Sequence, residues 1–151
     1  MDVGSITTLP PSGGFPLSGN YKDPKRLYCR SGGHLLQLFP DGSVRGTQDR
    51  GDPHALLKLQ AVRPGVVFIR GVSTGLYLAM NESGKLHGVE HVSDECYFQE
   101  TLEENHYSSY RSEKFTERGW YVGLKRNGKV KPGPKTAWGQ KAVLFLPLHM
   151  S

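Results

Sequence analysis

The sequence predicts an all-β domain made from one four-stranded unit used three times, and three observations carry that prediction. Glycine and proline are frequent, at 19 and 10 of 151 residues, which implies many turns and few long helices. From Tyr21 onward, short apolar runs alternate with turn residues. An internal repeat then sets the period.

The apolar runs come in order along the chain: Leu35-Leu36-Gln37-Leu38-Phe39, Leu56-Leu57-Lys58-Leu59, Val66-Val67-Phe68-Ile69 and Val143-Leu144-Phe145-Leu146. Each is of strand length, rich in branched or aromatic residues and bounded by Gly, Pro, Asp or Asn, the pattern of a β-strand. The repeat is most visible around three turns. Leu36-Gln37-Leu38-Phe39-Pro40-Asp41-Gly42-Ser43-Val44-Arg45-Gly46 has a counterpart in Leu78-Ala79-Met80-Asn81-Glu82-Ser83-Gly84-Lys85-Leu86-His87-Gly88. A third copy is Val122-Gly123-Leu124-Lys125-Arg126-Asn127-Gly128-Lys129-Val130-Lys131-Pro132. In each, a strand enters a turn closed by glycine, and one polar and one apolar residue lead back into a strand. Gly42, Gly84 and Gly128 are spaced by 42 and 44 residues, too far for one hairpin and right for a four-stranded unit. A WD-repeat propeller shares the period, but three blades are too few and the WD signature is missing. Three copies filling one domain predict a β-trefoil with a pseudo-threefold repeat of about 42 residues.

Residues 1–20 are mostly Gly, Pro, Ser and Thr, cannot offset their ordering entropy by burial, and read as a disordered N-terminal tail. Residues 21–151 form the β-trefoil domain. A chain of this length buries about two-thirds of its unfolded surface, so no disulfide or metal staple is needed. No apolar run approaches the roughly 20 residues that span a bilayer. The opening Met1-Asp2-Val3-Gly4-Ser5 does not read as a secretory signal, so synthesis in the cytosol is expected. Cys29 and Cys96 sit among apolar neighbours and read as buried reduced thiols.

Charge is concentrated. Lys125, Arg126, Lys129, Lys131, Lys135 and Lys141 fall in one segment without a carboxylate, whereas the whole chain carries a net charge of +5. A basic island on a nearly neutral body points to a localised polyanion site, although a run of lysines more often is a solvated loop. With only Trp138 interleaved, the segment is a poor stacking platform for single-stranded nucleic acid, and no specific nucleic-acid partner is expected.

A family resemblance now becomes visible. Pro24-Lys25-Arg26-Leu27-Tyr28-Cys29, Gly32-Gly33-His34, Pro40-Asp41-Gly42, Tyr77-Leu78-Ala79-Met80, Asp94-Glu95-Cys96, Glu103-Glu104-Asn105-His106-Tyr107, Trp120-Tyr121-Val122-Gly123-Leu124-Lys125 and Gly139-Gln140-Lys141-Ala142-Val143-Leu144-Phe145-Leu146-Pro147-Leu148 resemble fibroblast growth factor segments. The ordered set covers essentially the whole chain. It mixes features of the acidic and basic members, which fits a distant natural member or an engineered hybrid.

The resemblance implies a non-enzymatic, secreted mitogen that acts in cell proliferation, differentiation and angiogenesis by activating receptor tyrosine kinases. It puts Lys125, Arg126, Asn127, Lys129, Lys131, Lys135, Gln140, Lys141 and Ala142 on or beside a heparin-binding surface. Tyr28, Glu100, Asn105, Tyr107, Leu146 and Leu148 match receptor-contacting positions, though Tyr28, Tyr107 and Leu146 read from the sequence alone as core strand residues. The implied partners are fibroblast growth factor receptor extracellular domains and heparan sulfate proteoglycans or heparin. The glycan acts as co-ligand, with no cofactor and no metal, and a monomer dimerises on it. Leaderless secretion is implied, with presence also in the cytoplasm and nucleus. The alternatives are an intracellular trefoil module that binds ion-channel tails, an engineered receptor antagonist, or a trefoil lectin, whose QxW repeats do not occur here.

Four further motifs compete for attention. Arg50-Gly51-Asp52 is a formal integrin motif, for which a solvated loop is the stronger reading. Gly71-Val72-Ser73-Thr74-Gly75 fits the pattern of a hydrolase nucleophile, but a strand is expected to follow where that chemistry needs a helix. His87 and His91 have zinc-like spacing without a helix or a third ligand. Asn81-Glu82-Ser83 is a glycosylation sequon in a chain expected to bypass the glycosylation machinery.

Overall fold

A computed structural model describes residues 23–149. The expected tail at 1–20 lies outside the described residues, as do the two ends of the 21–151 domain.

Among the described residues the regular structure is ten strands joined by turns and short 3-10 segments: β1 (Lys25–Cys29), β2 (Leu35–Leu38), β3 (Val44–Thr47), β4 (Leu57–Arg63), β5 (Val66–Gly71), β6 (Tyr77–Met80), β7 (Leu86–Val89), β8 (Phe98–Leu102), β9 (Ser108–Ser112) and β10 (Phe145–His149). Six of them close a ring of antiparallel pairs, β1–β4–β5–β8–β9–β10 and back to β1. Closure gives every barrel strand two neighbours and removes the open edges of a flat sheet. Strands β2–β3 and β6–β7 form two hairpins. The third copy contributes a reduced hairpin, the single bridge Leu124↔Val130. This is the β-trefoil that the repeat predicts.

Strand alternation builds the core. Leu27, Leu57, Ile69, Phe98, Tyr110 and Phe145 come from the six barrel strands, one each, and all are fully buried. Burying a side chain of this size contributes about 1.5–3 kcal/mol. The hairpins pack onto this core with matched residues from each copy: Leu36, Leu78 and Val122, then Leu38, Met80 and Leu124, then Val44, Leu86 and Val130. Both cysteines are buried and unpaired, as expected. Burial also pushes the Cys29 thiol up from its ordinary value.

The three hairpin turns lean on one another. The Gly128 carbonyl accepts from Gly46 N–H at 2.7 Å, and the Gly42 carbonyl accepts from Gly88 N–H at 2.8 Å. The corresponding third donor is Pro132, which has no N–H. Gly133 N–H takes its place and reaches the Gly84 carbonyl at 2.8 Å. The turn glycines have φ of +86°, +85° and +88°, a region that side chains resist. Space forbids a side chain as well: a Cβ on Gly84 would lie 2.3 Å from Pro134 Cδ and 3.1 Å from Gly133 N.

Gly84→Ala therefore combines backbone strain with a collision against the Pro134 ring, whereas Gly65→Ala at φ +79° meets nothing within 4 Å. Denaturant unfolding is expected to show a loss of about 2 kcal/mol or more for Gly84→Ala and about 1 kcal/mol for Gly65→Ala. Equal losses would show that the packing of the three turns contributes nothing.

Candidate functional site

Two surfaces emerge from this framework. The first is basic and is built on the third hairpin and the loop that follows it. Lys125 to Lys129 form a turn like the other two: Lys125 N–H donates to Lys129 O at 2.7 Å, Gly128 N–H to Lys125 O at 2.9 Å, and Lys129 N–H to Asn127 Oδ1 at 3.0 Å. Beyond it the chain makes 3-10 turns at Gly133–Lys135 and Lys141–Val143. Thr136 fixes the loop to the body, its Oγ1 accepting from Tyr121 N–H at 2.9 Å and donating to Gly133 O at 2.6 Å.

Gln140 organises the loop. Its Oε1 accepts from Lys131 Nζ and from Ala137 N–H, both at 3.2 Å, and its Nε2 donates to Lys135 O at 3.3 Å. Lys125, Arg126, Asn127, Lys129, Lys135 and Lys141 are exposed, and Lys131 and Gln140 are half-buried. Among the described residues, none of these cations is paired with a carboxylate. Ala142 differs from its neighbours. Its side chain is buried, and its carbonyl accepts from Leu124 N–H and from the Cys29 thiol, so it supports the surface from beneath. Trp138 stands 71% exposed at the border, its indole N–H 3.4 Å from Glu103 Oε1.

The second surface is a wall formed by β1, β10 and the β8–β9 turn. Residues directly opposite in an antiparallel pair share a face. Tyr28 faces Leu146, and Arg26 faces Leu148. Tyr28, Leu146 and Leu148 are half-buried, while the intervening Leu27, Cys29 and Phe145 are fully buried. Alternation therefore puts the predicted contact residues on the outer face of the wall, not in the core. Tyr107 is also half-buried, and the Arg30 guanidinium carbon lies 5.4 Å from its ring centroid. Asn105 is exposed at the tip of the turn with φ of +59°, followed by His106 at +69°. Two successive positive φ values mark a tight hairpin turn, for which asparagine is favoured. Glu100 has a structural partner, since Tyr110 donates its buried hydroxyl to Glu100 Oε2 at 2.8 Å.

Sequence reading missed Arg30 and Thr136. Neither lies in a charge run or a repeat position, so only the folded contacts bring them forward.

In the Arg50-Gly51-Asp52 loop the first two residues are exposed and Asp52 is held against the body. Asp52 caps the 3-10 turn at Pro53–Ala55, its Oδ1 accepting from His54 N–H at 3.4 Å, while Oδ2 accepts from Gln37 Nε2. Its backbone carbonyl accepts from Arg26 Nη1 at 2.6 Å. Arg50 lies over the Tyr28 ring at 5.8 Å. A carboxylate used in this way is oriented toward its own loop and the Gln37 side chain. Ser73 lies in the turn between β5 and β6, so a strand follows the GxSxG pattern. His87 sits on β7 with Nε2 3.8 Å from Glu95 Oε1, and His91 is exposed. Asn81 uses its Oδ1 to order the second turn, accepting from Ser83 and Lys85 N–H.

Asp52→Ala is expected to lower stability by about 1 kcal/mol through the lost cap. Cell adhesion to immobilised protein should not change. Loss of adhesion with unchanged stability would return the tripeptide to the integrin reading.

Comparison with known proteins identifies the family. The family model described as fibroblast growth factor matches residues 23–146. Fibroblast growth factor 2 of Bos taurus is 54% identical, over 98% of this chain and 97% of its own length. Fibroblast growth factor 2 of Gallus gallus is 53% identical, over 97% of this chain and 94% of its own, and that of Ovis aries is 53% identical, over 98% and 97%. This chain belongs to the fibroblast growth factor family and is a growth factor.

Proposed function

We propose that this growth factor binds heparin and heparan sulfate through the basic surface and activates fibroblast growth factor receptor tyrosine kinases through the wall. The carrying observation is a set of exposed cations that, among the described residues, have no carboxylate partner, mounted on a loop locked by Gln140. A sulfated glycan offers a line of fixed negative charges and no base edges to read. Several cations on one firm surface match it, and binding releases condensed counterions, so it weakens as salt rises.

The wall supports the receptor half of the proposal. Tyrosine and leucine give compact anchors, and half-burial already limits their side-chain freedom, which lowers the cost of ordering them in an interface. One domain carrying two separate surfaces can hold a receptor on glycan, so that each weak contact raises the effective concentration of the other. Two such assemblies on one glycan chain bring two kinases close enough to phosphorylate each other, with the factor itself monomeric until glycan joins it. The site of action is outside the cell. Leaderless export and presence in the cytoplasm and nucleus follow as part of the same proposal.

In cells lacking heparan sulfate, receptor phosphorylation should require added heparin or rise severalfold with it. Folded protein that gives none under either condition would favour the channel-tail module or a receptor antagonist. Replacing Lys125, Arg126 and Lys135 together by alanine should lower the salt needed for elution from heparin, with the slope of log affinity on log salt reduced by about two to three. Elution at unchanged salt would overturn the glycan surface.

A further inference from the structure

The basic surface does not stop at the segment that carries its lysines. Lys129 forms an antiparallel bridge with Arg45, at the corresponding edge of the first copy. The Gly46 N–H to Gly128 O bond flanks this bridge, which makes Arg45 and Lys129 a closely spaced, non-hydrogen-bonded pair. Side chains at such a pair leave the same face with Cβ atoms about 5 Å apart. Both are exposed.

Two like charges directly opposite each other destabilise a strand pair. No ion pair relieves them: among the described residues, neither cation has a carboxylate partner within salt-bridge distance. Asp41 lies on the same hairpin within the field of Arg45, but its Oδ1 accepts from Ser43 N–H at 2.9 Å and from Ser43 Oγ at 2.7 Å. Those bonds first, and Arg45 last, hold the Asp41 carboxyl below its ordinary value. Arg45 is also positioned, its guanidinium carbon 4.5 Å from the Phe39 ring centroid. A stacked guanidinium keeps its edge N–H groups available to an oxyanion.

We propose that Arg45 and Lys129 form an anion subsite on the seam between the first and third copies, which takes a sulfate group of the glycan chain. The inference rests on the glycan-binding role of the basic surface and extends that surface onto a hairpin far away in sequence. A sulfated chain bound there crosses from one copy to another, and the anion neutralises a repulsion that the protein otherwise carries.

The test uses full-length protein, a heparin dodecasaccharide, and polyphosphate of matched charge. Arg45→Gln should weaken dodecasaccharide binding about threefold to fivefold and reduce the slope of log affinity on log salt by about one. Without glycan its thermal midpoint should equal or exceed that of the parent, and the glycan-induced rise in midpoint should shrink. Arg45→Lys should recover the salt slope. If Arg45→Gln binds like the parent while the Lys125, Arg126 and Lys135 triple variant is weakened, the subsite is wrong and the basic surface stands. If neither variant is weakened, the glycan reading itself fails. A loss seen with polyphosphate alone also overturns the subsite, because the sulfated chain then does not use it.

Discussion

The structure depends on three glycine turns that come into backbone contact. Each hairpin offers the carbonyl of its turn glycine to the next copy, and the three contacts at 2.7–2.8 Å link residues that are far apart in the chain. A single hairpin has no independent stability to speak of. Joined to its neighbours, each one fixes the position of the others, and their apolar faces then cover the barrel core as a set. The glycine requirement follows from both conformation and space, since positive φ and the absence of room for a Cβ coincide at Gly42, Gly84 and Gly128.

Symmetry of backbone with asymmetry of side chain is how this fold makes function. Three 3-10 turns recur at Pro53–Ala55, Asp94–Cys96 and Lys141–Val143, each ending on a fully buried residue and each leading, two residues later, into a barrel strand. The residue before each turn has a different task. Asp52 and Ser93 cap their turns with side-chain oxygens. Gln140 leaves its own turn uncapped and binds Lys131, Ala137 and Lys135 instead. The third copy gives up a capping bond, worth about 1 kcal/mol elsewhere, and its glutamine holds a basic loop in shape.

Charge follows the same division. Outside the basic surface two cations are paired with carboxylates, Arg63 with Glu113 and Lys114 with Asp94, and Arg118 stacks on Phe115 and Trp120 while donating to Glu82 O. Among the described residues, the cations around the third hairpin have no carboxylate ion-pair partner. Cations gathered on one firm surface are what the proposed polyanion binding requires. Such a surface costs some stability when empty of ligand and recovers it on binding.

The repeat of turn glycines, the strand-length apolar runs and the basic island were legible in the sequence because each is local or periodic. They were enough for the β-trefoil and for the position of most of the basic surface. The outward placement of Tyr28, Tyr107 and Leu146 was not, since a strand residue reads the same whether it faces core or solvent until its register is set. For Tyr28 and Leu146 the pairing of β1 with β10 sets it. The burial of Ala142 and the inward turn of Asp52 likewise depend on partners from distant segments, Cys29 and Leu124 for one, Gln37 and Arg26 for the other. Sequence by itself determined the architecture and its charge, because periodicity and composition are properties of the chain. Only tertiary structure decided which side chains share a face, because closing the barrel and joining the hairpins brings together residues whose separation in sequence carries no signal.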